Sequence, residues 1–213
     1  MVNNHQILLI GFDLDGTLVH TNPQYANLII NATLKEFGKS ATPEQVSRFW
    51  FQKGRCQYIQ DAFGIEPEQF WKVYTKYDTP ESKRRYISAY TDAKLLLELK
   101  NRGYKLGLLT GAPPDIMDLE LKLLPDVFDI TLVANPRYTD IRLKPDAHGL
   151  ELMMQTFGCL PHQTIYVGNG NEDVEAAQAA GVLDIFINRQ EHNYNGINPT
   201  ITIDTLSTLK QFI

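Results

Sequence analysis

Five short apolar runs punctuate the chain, and each stops at residues that turn or bind rather than pack. Gln6 to Phe12 (QILLIGF) runs into Asp-Leu-Asp-Gly-Thr, and Tyr104 to Leu109 into Thr-Gly. Asp129 to Val133 runs into Ala-Asn-Pro, Thr164 to Val167 into Gly-Asn-Gly, and Leu183 to Ile187 into Asn188. A continuous apolar run of this length, bounded by turn residues, predicts a strand buried on both faces of a parallel sheet. Between the runs, helical patterns cover Asp92 to Arg102, Asp115 to Leu124, Ala147 to Phe157 and Asn171 to Ala180. Gly103, Gly158 and Gly181 supply their C-terminal stops. Strands alternating with helices of this length imply an α/β chain folded as a doubly wound, Rossmann-like parallel sheet.

Residues Thr21 to Tyr90 break the rhythm. They hold helical stretches rich in aromatics (Phe49, Trp50, Phe51, Phe70, Trp71, Tyr74, Tyr77) and no convincing buried strand. The aromatic spacing predicts a core belonging to the insert itself. Asn22-Pro23, Thr42-Pro43, Glu66-Pro67 and Thr79-Pro80 sit where helices would start or end, because proline at the first helical position lacks only a hydrogen that has no partner there. The reading is therefore a core of residues 1–20 and 91–213 interrupted by a helical domain of residues 21–90.

Composition narrows the class. A chain of 213 residues buries enough apolar surface to fold without staples. Cys56 and Cys159 show no metal-binding or redox spacing and read as reduced thiols. No stretch approaches the roughly 20 apolar residues of a membrane span, so a soluble, cytoplasmic protein without membrane contact is expected. The formal charge of -5, with a pI near 5.5 and no long basic run, argues against nucleic acid as a partner. An anionic substrate would need local positive charge or a metal.

Chemistry concentrates at the ends of the apolar runs, where open α/β sheets place their ligands. Asp13 and Asp15 follow the first run directly. Asp and Gly are common turn residues, but two acids beside a buried strand end repel unless a cation or substrate compensates. The sequence FDLDGTLVHT resembles the first motif of the haloacid dehalogenase superfamily. Leu108-Leu109-Thr110-Gly111 resembles the second motif, Lys144-Pro145 the third, and Val167-Gly168-Asn169-Gly170-Asn171-Glu172-Asp173 the fourth. The motifs stand in the family's order, and the helical insert occupies the place of the family's cap.

The resemblance implies a Mg²⁺-dependent phosphatase acting on a small phosphorylated metabolite. Asp13 would be the nucleophile, forming an aspartyl-phosphate, and Asp15 the general acid and base. Thr110 and Gly111 would hold phosphoryl oxygens, and Lys144 would supply fixed positive charge. Taken alone, Thr110 reads as a helix cap and Lys144 as a solvated lysine. The metal would be held by Asp13, the Asp15 carbonyl, Asn169 and Asp173. In the insert, Lys53, Arg55 and Gln57 flank Gly54 and are candidates for the far end of the substrate, Arg55 foremost, or else a solvated surface.

One position departs from the family pattern: Asn169 stands where an aspartate is usual. An amide still offers oxygen to a hard cation but brings no negative charge, so metal affinity is expected to fall. Two alternatives stay open, a sugar phosphomutase of the same family and a non-catalytic phosphate- or partner-binding protein. Asp15 argues against dehalogenase and phosphonatase chemistry, whose enzymes carry an aromatic or a small residue there. A monomer or small homo-oligomer is expected. His20, in the flap after the first motif, faces a leaving group or merely ends the flap. His148, His162 and His192 read as surface or helix-end residues, and Gln190 to Asn198, with Asn195-Gly196, as a surface loop.

Overall fold

The apolar runs lie side by side in one sheet. The computed structural model describes residues 6–192, 196 and 198–213. Its first elements are β1 (Leu9–Phe12) and β2 (Val19–Thr21), followed by helices α1 (Pro23–Lys35), α2 (Pro43–Phe51), α3 (Arg55–Tyr58), α4 (Pro67–Tyr77) and α5 (Pro80–Lys83). Then come β3 (Ile87–Ala89), α6 (Leu95–Asn101), β4 (Lys105–Thr110), α7 (Pro114–Leu121), β5 (Ile130–Val133) and α8 (His148–Phe157). The chain closes with β6 (Thr164–Gly168), α9 (Asn171–Ala179), β7 (Leu183–Ile187) and β8 (Ile201–Ile203).

Six strands form the main sheet in the order β5-β4-β1-β6-β7-β8, and every neighbouring pair is parallel. From β1 the chain builds outward through β4 and β5, then crosses back to build outward through β6, β7 and β8. The direction reverses beside β1, which makes the carboxyl ends of β1 and β6 the expected place for a ligand. Central position explains the composition of β1: Leu9, Ile10 and Phe12 are fully buried, each worth roughly 1.5–3 kcal/mol relative to exposure. Helix α8 packs so closely that a Cβ on Gly107 would lie 2.3 Å from the Met153 sulfur. A glycine in β4 thus admits the helix to the sheet.

The chain divides into two compact units. One comprises Thr21–Ile87, joined by His192; the other comprises the remaining described residues. Within the helical unit, Tyr25, Ile29, Ile30, Leu34, Phe49, Phe63, Phe70 and Tyr74 are buried together. The Phe49 and Phe70 rings lie 5.3 Å apart. Each of the four prolines Pro23, Pro43, Pro67 and Pro80 opens a helix. Asn22 and Thr42 accept hydrogen bonds from the main-chain nitrogens of Gln24 and Gln45, satisfying donors that the first turn leaves open.

Some elements lie outside the sequence pattern. β2 and β3 pair as a two-stranded ribbon, and at three residues each they are too short to show alternation. β8 is equally short, and it is secured by polar groups: buried Asp184 of β7 accepts from the Thr200 nitrogen at 2.7 Å and hydroxyl at 2.6 Å. Helix α6 begins later than Asp92 because residues 91–94 form a 3₁₀ turn. Of the loop expected over Gln190 to Asn198, residues 193–195 and 197, including Asn195, fall outside the described residues. Cys56 is exposed and Cys159 half-buried, both as free thiols. Among the described residues, no helix is long and apolar enough to cross a membrane.

Candidate active site

Asp13 stands one residue beyond β1, and its main-chain nitrogen continues the sheet by donating to the Val167 carbonyl at 2.9 Å. Its side chain is 9% exposed. Oδ1 accepts from Lys144 Nζ at 2.6 Å, and Oδ2 accepts from the Thr17 hydroxyl at 3.2 Å. Lys144 comes from the segment between β5 and α8, ahead of a cis Pro145 and four residues before the helix. Its ammonium also donates to Asp173 Oδ1 at 2.6 Å and meets the Tyr166 hydroxyl and the Leu109 carbonyl, each at 3.3 Å. Asp173 lies in the first turn of α9, where its other oxygen accepts from the Gly170 nitrogen at 2.9 Å. An acid there is favoured by the open amides and the positive end of the helix dipole.

Electrostatics follow from this burial. Desolvation, reinforced by repulsion from Asp173 and Asp15 and opposed by Lys144, pushes the Asp13 carboxyl up to about 7. Burial alone would lower Lys144, but the charges of Asp13 and Asp173 override it and hold the ammonium well above its ordinary value. The lysine is therefore charged at neutral pH, and it pairs with two acids, Asp13 and Asp173. Burial likewise keeps the Tyr166 hydroxyl protonated, and it donates to the Leu109 carbonyl at 3.1 Å.

Asn169 follows β6 by one residue, and its amide lies over Gly16. A Cβ on Gly16 would fall 2.0 Å from Asn169 Nδ2, and Gly16 has φ +74°. The Asn169 carbonyl oxygen in turn lies 3.5 Å from the Thr17 hydroxyl. Thr17 thus bridges Asp13 and Asn169. Gly16→Ala is expected to cost more than about 1 kcal/mol from the left-handed backbone alone, and to push the Asn169 amide off Thr17. A urea titration checks the first effect; an unshifted midpoint would contradict it.

Thr110, 1% exposed, accepts from the Ala112 nitrogen at 3.1 Å. It therefore fixes the turn after β4 and does not cap α7, which starts at Pro114. The Gly111 carbonyl accepts from Asn135 Nδ2 at 2.9 Å. Asp15 is half-buried and bridges to Val19. Arg55 belongs to the helical unit, where its exposed guanidinium donates to the Trp50 carbonyl at 3.0 Å. His148 opens α8, and His192 stacks on Phe51 with centroids 4.7 Å apart. Sequence reading singled out neither Thr17 nor Tyr166: a threonine inside a motif and a tyrosine inside an apolar strand both read as structural. A tyrosine in an otherwise aliphatic strand is a signal, since its hydroxyl needs a buried partner.

The oxygens of Asp13, Asn169 and Asp173 and the Asp15 carbonyl are hard donors, of the kind magnesium takes. Among the described residues no three His, Cys, Asp or Glu side chains form a metal cage. A site using an amide and a main-chain oxygen would leave several positions to water, as magnesium prefers. Both oxygens of Asp13 and both of Asp173 already accept hydrogen bonds, so an ion there would share them with Lys144, Thr17 or the Gly170 nitrogen. Asp173 and Asp15 both repel the charge on Asp13, a repulsion that a divalent cation offsets, so the residues fit the ion.

The sheet order and the residues at its strand ends define a Rossmann-like α/β enzyme with a buried strand-end aspartate. The chain belongs to the haloacid dehalogenase-like hydrolase family, whose profile matches residues 10–187, and stands among its phosphoric monoester hydrolases. It is 32% identical over 206 residues to a phosphoglycolate phosphatase of Mannheimia succiniciproducens, covering 90% of each chain. It is 28% identical over 180 residues to the pyrophosphatase PpaX of Bacillus cereus, covering 80% of this chain and 78% of the relative. A haloacid dehalogenase-like hydrolase structure from Streptococcus pneumoniae superposes with a TM-score of 0.78 at 22% identity, covering 97% of this chain and 99% of the other. That last likeness concerns the fold.

Proposed function

We propose that this protein hydrolyses a small phosphomonoester through an aspartyl-phosphate on Asp13. The observation that carries the reading is the buried Asp13 carboxylate at the end of the central strand, paired to Lys144 at 2.6 Å. A carboxylate oxygen attacks phosphorus while the ester oxygen leaves with a proton from Asp15. Asp15, half-buried and thus open to solvent, then takes a proton from the water that attacks phosphorus, releasing phosphate and restoring Asp13. Lys144 stays charged and faces the oxygens that gain negative charge. Thr110 and the Gly111 region hold the phosphoryl group. Mg²⁺, held by Asp13, Asn169, the Asp15 carbonyl and, in support, Asp173, would neutralise the phosphoryl charge.

On the same reading the helical unit is the counterpart of the family's cap, Arg55 is its candidate for substrate selectivity, and the protein works in the cytoplasm. The names of the relatives put 2-phosphoglycolate first among candidate substrates, ahead of sugar phosphates, nucleoside monophosphates and pyrophosphate. The test is phosphate release from that panel with Mg²⁺ and with a chelator. Turnover that vanishes with the chelator supports the reading. No turnover at any Mg²⁺ concentration sinks it and favours the binding-protein alternative that Asn169 keeps open.

Asn169→Asp is expected to tighten Mg²⁺ binding roughly tenfold or more, since it adds a full negative charge beside the ion. With chelator the same change is expected to lower stability, because it adds another acid beside the buried Asp13 and Asp173. Calorimetric titration giving equal Mg²⁺ affinities for both proteins would remove Asn169 from the ligand set.

A further inference from the structure

Arg189 lies two residues beyond β7, outside every motif that the chemistry above uses. Its side chain is 8% exposed and that of Asp92 13%. Nη1 donates to Asp92 Oδ2 at 2.8 Å and Nη2 to Asp92 Oδ1 at 3.0 Å, a two-pronged pair that only a planar guanidinium can make. Nη2 also donates to the main-chain carbonyl of Thr17 at 2.7 Å. Asp92 is itself fixed, accepting from the Thr205 hydroxyl at 2.9 Å and the Leu206 nitrogen at 2.8 Å. The guanidinium lies over the Tyr90 ring, 3.9 Å from its centroid. The Tyr90 hydroxyl donates to Glu191, whose carboxylate also meets His20 Nδ1 at 2.5 Å.

The far end of this chain of contacts is Asp13. Thr17 closes a tight loop in which the nitrogens of Thr17, Leu18 and Val19 all donate to the Leu14 carbonyl. Its hydroxyl is the group that holds Asp13 Oδ2 and lies beside Asn169 Oδ1. Its carbonyl is the group that Arg189 holds. Moving that carbonyl turns the peptide carrying the Thr17 side chain.

We propose that Arg189, clamped by Asp92, is a positioning residue that anchors the Thr17 carbonyl and thereby sets the Thr17 hydroxyl against Asp13 and Asn169. The proposal rests on reading Asp13 as the nucleophile. Arg189 touches no reacting atom; it orients the loop that does. A pair serving stability alone would protect the fold and leave the loop's geometry to its internal hydrogen bonds, so loop dynamics and turnover separate the two roles.

The experiment compares the unmodified protein with Arg189→Met, Arg189→Lys and Asp92→Asn. It uses p-nitrophenyl phosphate hydrolysis at saturating Mg²⁺, amide hydrogen exchange and thermal unfolding. Arg189→Met is expected to lower kcat by about 10- to 100-fold, the scale of a small misplacement of reacting groups, with KM nearly unchanged. Exchange at residues 16–19 is expected to speed up relative to β1. Arg189→Lys, which keeps the charge and loses the fork, is expected to recover part of kcat, and Asp92→Asn to lose less than Arg189→Met. A lower unfolding temperature with unchanged kcat and unchanged exchange at 16–19 overturns the proposal. If Arg189→Met does not fold, the other two variants decide by the same readouts. If the unmodified protein releases no product, the phosphatase reading fails, and exchange at 16–19 still decides the anchor.

Discussion

Asp13→Asn is expected to abolish phosphate release, by about 10⁴-fold or more, the scale on which removal of a covalent nucleophile acts. The substitution keeps the shape of the side chain and an oxygen for Lys144 or Thr17, so the loss is chemical. Stability is expected to move the other way. The Asp13 carboxyl is held up by burial and by Asp173, so its ionised form costs folding free energy at every pH above its unfolded value. That cost reaches its full size once pH exceeds the folded value. Asparagine removes it, while Lys144 keeps its pair with Asp173 at 2.6 Å. In chelator near pH 8, Asp13→Asn is therefore expected to unfold at or above the urea concentration that unfolds the unmodified protein. The difference should shrink as pH falls toward the ordinary carboxyl value of 3.8 and vanish below it, where Asp13 is protonated in both states. Substantial turnover in the variant would mean that another group attacks phosphorus.

Lys144→Met should produce the second large effect, and it combines both losses. Two carboxylates, 9% and 3% exposed, would face each other without the ammonium between them. Breaking a buried pair from one side costs about 3–5 kcal/mol, a large part of the stability of a typical domain. Hydrolysis is expected to fall with it, because the fixed charge opposite the phosphoryl oxygens is gone. Two measurements separate these effects. Lower pH should return part of the stability by protonating a carboxylate, and Mg²⁺ should return part of it by supplying charge beside Asp13. Neither should restore turnover. A variant as stable as the unmodified protein in chelator at pH 8 would mean that the acids had found other partners.

The main sheet was legible because its strands are buried on both faces and so read as unbroken apolar runs. β1, β4, β6 and β7 are almost wholly buried. β8 escaped because three residues make no pattern and because the groups that secure it, Asp184 and Thr200, are polar. The ribbon of β2 and β3 escaped for the same reason of length. At the candidate site, motif order singled out Asp13, Lys144 and Asp173, which the fold brings into direct contact. What holds them was not readable. Tyr166 and Arg189 act through groups whose partners Leu109 and Asp92 lie far along the chain, while Thr17 lies four residues from Asp13 but reads as part of a turn. Arg55 sits in the other unit, and the chain alone does not say what it meets.

The helical unit leaves the core along β2 and returns along β3, and those two strands are paired. To the sheet, the whole insertion is a loop whose ends are already tied together, so its length adds little to the entropy of closing the core. Its buried residues, Tyr25 through Tyr74, form a cluster of their own. Sequence change there is felt first by the packing of that cluster. An architecture of this kind lets the insert be lengthened, shortened or exchanged between the paired strands while the six-stranded sheet is inherited intact.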